Sequence, residues 1–78
     1  MTKVEKKFRT EFKKQFFAYQ ECYHEWGALD DDTKKESSKL FIYEDIAKNV
    51  FGFNDKQIEI NEDRWRKEWR NKNEWKYR

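Results

Sequence analysis

Residues 2–26 read TKVEKKFRTEFKKQFFAYQECYHEW, and the fold turns on their spacing. Val4, Phe8, Phe12, Phe16, Tyr19, Cys22, Tyr23 and Trp26 recur every three or four positions. At about 100° per residue they fall within about one third of a helix circumference. Lys6, Arg9, Lys13, Gln20 and His24 lie on the other side, so the stretch predicts one long amphipathic helix from Thr2 to Trp26. Its aromatic seam must be covered by the rest of the chain. Gly27 stands where a left-handed cap would end the helix.

Downstream, Ala28 to Asp32 predict a turn, and Thr33 with Glu36 forms a capping box that would start a second helix at Thr33. The acids Asp30, Asp31 and Asp32 suit a helix start through its dipole. They lack the alternating ligands, central glycine and closing glutamate of a calcium loop, so no metal site is expected. Leu40, Tyr43, Ile46, Ala47, Val50 and Phe51 share a helical face, with Ile42 at its edge and Phe41 pointing away. A strand at 40–43 paired with 57–60 is the alternative, and an isolated two-stranded ribbon is marginal in water. Gly52 ends this segment, and Asn54 with Gln57 offers a further capping box. Either one helix runs on from Asp55, aligning Ile58, Trp65 and Trp69, or a short turn precedes a last helix from Glu62 to Tyr77.

The expected fold is therefore all-α, a small bundle of three to four helices around the long N-terminal one, in a single domain spanning 1–78. The alternative is α+β with the two-stranded ribbon. Phe12, Tyr19, Trp26, Trp65 and Trp69 are expected to be buried together. Leu, Ile, Val and Phe make up only 15 of 78 residues, so the aromatic rings must supply the core. A core of this size yields about 3–5 kcal/mol unless a disulfide, metal or partner adds to it.

Charge and cysteine usage narrow the function classes. The net charge is only +2, with +2 in residues 1–29, −3 in 30–60 and +3 in 61–78. Nucleic-acid affinity draws mainly on phosphate neutralisation, so a chain this balanced would have to gather its cations on one face. The single Cys22 allows no internal disulfide and no set of zinc thiolates, and its place on the seam predicts packing. No apolar run exceeds four residues and no signal-peptide core precedes the first helix, which predicts a cytoplasmic chain with no membrane segment. Abundant Lys, Asn, Ile, Phe and Tyr, with few Gly and Ala and no Pro, fit an AT-rich genome such as that of a low-GC bacterium or its phages.

An enzyme is not expected. His24 is the sole histidine, two residues from Cys22, and side chains two apart on a helix do not face each other. No Gly-rich phosphate loop, metal-ligand spacing or serine elbow is present, and no cofactor or small-molecule substrate is implied. Arg66, Arg70, Asn73 and Tyr77 form one stripe of the last helix, able to meet phosphates and base edges, with Lys6 and Arg9 on the first helix as backbone contacts. Against this, Glu62 with Arg66, Asp63 with Lys67, Glu68 with Lys72 and Glu74 with Arg78 are self-stabilising i,i+4 pairs. Residues 51–60, Phe-Gly-Phe-Asn-Asp-Lys-Gln-Ile-Glu-Ile, resemble the turn and opening of the homeodomain recognition helix. The resemblance covers ten residues; Asn61-Glu62-Asp63 replaces that family's Trp-Phe, asparagine and paired bases, so no functional residue carries over.

Phe17 points off the seam near Lys13 and His24, and Trp75 lies off the Trp65 and Trp69 face. Exposed aromatics beside charges are the material of interface hot spots. The expected function is accordingly that of a small non-catalytic protein-interaction module, regulatory or inhibitory, with a protein partner or a second copy meeting Phe17, His24, Lys13 and Trp75. Nucleic-acid binding of helix-turn-helix or homeodomain-like type through the last helix is the alternative.

Overall fold

The computed structural model describes residues 2–73. They form three helices, α1 (Lys3–Trp26), α2 (Asp31–Asn49) and α3 (Asp55–Asn73), with no strand among the described residues. The ribbon alternative is thereby excluded: 40–43 and 57–60 are both helical. The last segment is one helix from Asp55, so the bundle has three helices. None of them is long and apolar enough to cross a membrane.

Each helix starts on a side-chain oxygen that accepts an otherwise orphaned backbone N–H. Thr2 Oγ1 accepts from Glu5 N at 3.1 Å. In α3 the Asn54 and Gln57 box closes in both directions, Gln57 N donating to Asn54 Oδ1 at 2.8 Å and Asn54 N to Gln57 Oε1 at 2.9 Å. The start of α2 corrects the sequence reading. Asp30, not Thr33, is the cap, its Oδ1 accepting from Asp32 N at 2.9 Å, and the helix begins two residues earlier than expected. A carboxylate satisfies that end more strongly than a hydroxyl, and Thr33 is carried inside the first turn. There it is almost fully buried, and its Oγ1 has no hydrogen-bond partner.

The two glycines carry the chain reversals. Gly27 has φ 87 and donates its N–H to Tyr23 O at 3.0 Å, but its ψ of 168 is extended, not left-handed helical. Gly52 has φ 72, which lets Phe53 N reach back to Ala47 O at 2.9 Å. Both positions would strain a residue with a Cβ.

Helices α1 and α2 form an antiparallel hairpin. Phe8 and Phe12 meet Tyr43 near one end, and Gln15 Nε2 donates to Glu36 Oε2 at 2.7 Å and to its carbonyl at 2.9 Å further along. Helix α3 lies across α1: Trp65 stands edge-on to Phe12 at 5.0 Å between ring centres and 6.0 Å from Phe16. Helices α2 and α3 both pack on α1 and meet each other more narrowly, through the Lys48 Nζ to Asp55 Oδ1 bridge at 2.7 Å and the neighbouring Glu44 and Glu62 carboxylates. Phe12, Phe16, Leu40, Ala47, Phe53, Ile58 and Trp65 form the core, with Phe8, Phe17, Tyr19, Tyr43 and Phe51 packed around it.

The centre of the predicted core is present and its end is not. Phe12, Trp65 and Trp69 are buried, Tyr19 is half-buried, and Trp26 is 62% exposed. The seam of α1 outruns the two helices that cover it, so Tyr23 and Trp26 at one end and Val4 at the other face solvent. Phe17 corrects the reading in the opposite sense. It is half-buried against the core because α3 covers a flank of α1 outside the apolar stripe. Gln20, expected on the polar face, is 5% exposed for the same reason. Cys22 is half-buried, and Phe41 points outward as its phase predicts.

Truncating Trp65 or Trp69 to Ala should cost about 3–5 kcal/mol and leave the chain unfolded or molten in circular dichroism melts, whereas Trp26→Ala should melt like the parent. Thr33→Val removes a buried hydroxyl that bonds to nothing and should stabilise by about 1 kcal/mol, read as a rise in denaturant midpoint at unchanged slope.

Candidate functional site

The two tryptophans of α3, Trp65 and Trp69, are turned into the bundle, and this fixes what their neighbours do. Arg66 and Arg70 follow each by one residue, about 100° round the helix, and so stand on the flank beside α1. On α1 the positions Tyr19, Gln20, Tyr23 and His24 present two adjacent pairs one turn apart. Together these six residues line an open groove of about 400 Å³ between the C-terminal halves of α1 and α3. No residue of α2 lines it.

The groove is rich in hydrogen-bond donors. It offers two guanidiniums, two phenols, an imidazole and a primary amide, and no carboxylate lines it. Arg66 Nη1 pairs with Asp63 Oδ1 at 2.7 Å on the outer side of α3, and its guanidinium lies 5.7 Å from the Phe16 ring centre. Arg70 makes no hydrogen bond or ion pair among the described residues. The His24 ring is stacked on Trp69 at 4.6 Å and meets Tyr23 edge-on at 5.6 Å, while Tyr19 and Tyr23 lie 6.0 Å apart. Gln20, nearly buried at the base of the groove, makes no side-chain hydrogen bond among the described residues.

A second, smaller cavity of about 170 Å³ is lined by Arg9, Phe53, Gln57, Ile60 and Asn61. The Arg9 guanidinium lies 4.6 Å over the Phe53 ring and 3.5 Å from Glu5 Oε1, and its buried Nε has no acceptor. Its charge is committed to holding the start of α3 against α1.

The residues singled out from the sequence are dispersed. Lys13 Nζ bridges to Glu68 Oε2 at 2.8 Å, and the ammoniums of Lys13 and Lys72 lie 5.6 and 5.7 Å from the Phe17 ring centre. Phe17 and Lys13 thus tie α1 to α3, as His24 does through Trp69. Arg66 and Arg70 enter the groove, whereas Asn73 donates through Nδ2 to Trp69 O at 2.9 Å within α3. Lys6 stands exposed near the start of α1, far along that helix from the groove, and Trp75 and Tyr77 lie outside the described residues. The i,i+4 expectation holds for Glu68 with Lys72 at 3.6 Å, while Arg66 prefers Asp63 to Glu62. Tyr19, Gln20 and Tyr23 are the groove residues that sequence reasoning misses as site residues. The one signal available is that Gln20 follows Phe16 by one helical turn, on the border of the stripe.

Among the described residues, no group of three or more His, Cys, Asp or Glu side chains is placed to hold a metal ion. Burial, reinforced by the carboxylates of Glu36, Asp32, Asp30 and Glu21, pushes the Cys22 thiol above its ordinary value, so it is protonated at neutral pH. No protein-family model, curated protein or solved structure matches the chain.

A carboxylate pair borders this region on the α2 side. Burial, then the charge of Glu44, pushes Glu62 up to about 7, with Arg66 opposing; burial raises Glu44 as well. Glu62 Oε2 is buried without a hydrogen-bond partner. A folded-state value above the ordinary 4.5 means that the native chain holds more protons than the unfolded one between about 4.5 and 7. The stability this group contributes is complete below that window and is lost as pH rises through it. Glu68 works the other way, since Lys13 holds it below the usual carboxylate range, and its contribution is lost in acid below 4.5. Glu62→Gln should therefore stabilise by about 1 kcal/mol at pH 8, allowing for the partial exposure of the group, and leave pH 5 stability nearly unchanged. Urea titrations at the two pH values check both.

Proposed function

We propose that this chain is a small, non-catalytic protein-binding module that docks through the uncovered end of the α1 seam. The observation supporting this is the gradient of burial along that seam. Phe12 and Phe16 are fully enclosed, Tyr23 is half-open, Trp26 is 62% exposed, and Leu29 in the following turn is 85% exposed. Three large apolar side chains within seven residues thus stand at one corner of the bundle. Aromatic side chains bury about 150–250 Å² each when enclosed, so this corner offers the anchor residues of a modest interface. Glu21, Glu25 and Asp30 around it supply a charged rim. A regulatory or inhibitory role suits a module without catalytic groups, and a free thiol suits the reducing cytoplasm. An origin in a phage or a low-GC bacterium rests on composition alone.

Duplex recognition by α3 has less support. Arg64, Arg66, Lys67, Arg70 and Lys72 make its second half basic, but Arg66 and Arg70 open onto the groove, Arg9 lies on Phe53, and Asn73 is engaged with Trp69. These do not form one free stripe.

The double variant Trp26→Asp, Leu29→Asp changes only exposed side chains and should melt within about 0.5 kcal/mol of the parent. It should also lose the partner that the parent retains in a mild pull-down, or the self-association that the parent shows in light scattering. A strictly monomeric parent that retains nothing, or a variant that retains everything, ends the proposal. Affinity for duplex DNA whose logarithm falls with the logarithm of salt by about 0.9 per phosphate would transfer the function to α3.

A further inference from the structure

The groove between α1 and α3 gathers hydrogen-bond donors and aromatic rings with no carboxylate among its lining residues. Gln20 is 5% exposed, lines the groove, and makes no side-chain hydrogen bond among the described residues. Its amide carries one acceptor and two donors, and these are not shut off from the groove, so they are open to water or to a ligand there. The other groove residues say what a ligand there would carry. Arg66 and Arg70, one helical turn apart, present guanidiniums that recognise phosphate through paired N–H donors. Tyr19 and Tyr23 contribute aromatic rings and hydroxyls to the lining, and His24 is held against Trp69. No carboxylate lines the groove, and its volume of about 400 Å³ is far more than a lone phosphate or carboxylate would occupy.

From these features we infer that the groove binds a nucleotide unit: its phosphate on Arg66 and Arg70, its base against Tyr19 and Tyr23, and the base edge on the Gln20 amide. Glutamine pairs donor and acceptor in one plane, as base edges do, and tyrosine faces stack bases of any sequence. This goes beyond the protein-binding corner and does not depend on it. The ligand chemistry is the same for a free mononucleotide and for one nucleotide of a single strand. Asp63 competes for Arg66, since it holds one guanidinium nitrogen at 2.7 Å. Removing that competitor should strengthen binding.

The test is an NMR titration of the full chain with AMP, GMP, CMP, UMP, inorganic phosphate, a short single-stranded oligonucleotide and an Asp/Glu-rich peptide. The Gln20 side-chain amide and the Trp69 indole N–H serve as reporters. At least one nucleotide should move both, with a Kd of about 1 mM or tighter. Arg70→Ala and Tyr23→Ala, both at exposed positions, should weaken binding about tenfold or more at unchanged melting temperature. Gln20→Leu should weaken it too and abolish the preference among bases; if that variant does not fold, Tyr23→Ala carries the same decision. Asp63→Asn should tighten binding about two- to fivefold. A tighter oligonucleotide identifies a strand as the natural source, and an equal or tighter mononucleotide identifies the free nucleotide. The inference is overturned if no nucleotide moves the reporters at about 10 mM. It is equally overturned if inorganic phosphate or the acidic peptide binds as tightly as every nucleotide, or if folded Gln20→Leu or Tyr23→Ala binds as the parent does.

Discussion

The edge-on contact of Trp65 with Phe12 decides where α3 sits, and most of the molecule's surface follows from it. Helix α2 is tied to α1 by a short turn and by ring and amide contacts along the hairpin. Helix α3 meets α2 over a narrower face, at the Lys48 to Asp55 bridge and the Glu44 and Glu62 pair. Its position rests on what it buries against α1: Ile58 and Trp65 in the core, Trp69 under His24, and the Lys13 to Glu68 bridge. An indole set edge-on to a phenyl ring is a favoured aromatic geometry, and it draws on ring area as well as orientation. The groove opens where α3 crosses the C-terminal half of α1, lined from these two helices alone.

The same arrangement explains which parts of the fold can be read in the sequence. Phe12, Phe16, Ile58, Trp65 and Trp69 declare themselves by spacing, because helical period alone aligns them. The Asn54 and Gln57 box and the glycine breaks at 27 and 52 are equally local and equally legible. Thr33 misleads because two capping chemistries overlap within four residues, and the carboxylate of Asp30 prevails over the hydroxyl. Trp26 misleads because the reach of a covering helix is a tertiary quantity, and periodicity is blind to where the neighbours stop.

The candidate site is less legible than the core for a related reason. A hydrophobic stripe marks the face that packing needs, but α1 is covered over a wider arc than its stripe. Arg9, Lys13, Phe17, Gln20 and His24 all face α3, although four of the five are polar. Their long or planar side chains bury apolar parts while keeping charges at the edge, as Arg9 does over Phe53 and Lys13 does beside Phe17. Arg66 and Arg70 are identifiable from sequence as cations on one face of α3. That this face looks onto Tyr19, Gln20 and Tyr23, and not onto open solvent, depends on the seating of Trp65.

Three polar groups in this small fold are buried without a hydrogen-bond partner: Thr33 Oγ1, Arg9 Nε and Glu62 Oε2. Each unmet group is worth about 1–3 kcal/mol against folding, a large share of what a domain of this length can supply. They differ in how that loss is offset. Arg9 keeps its guanidinium on Phe53 and Glu5, so only one nitrogen is unmet. Glu62 can take up a proton, which removes the charge that burial penalises. Thr33 sits enclosed in packing, and nothing in the structure compensates its hydroxyl. Gln20 differs from all three, since its amide is not shut off from solvent and opens onto a groove whose other residues are donors and aromatic rings.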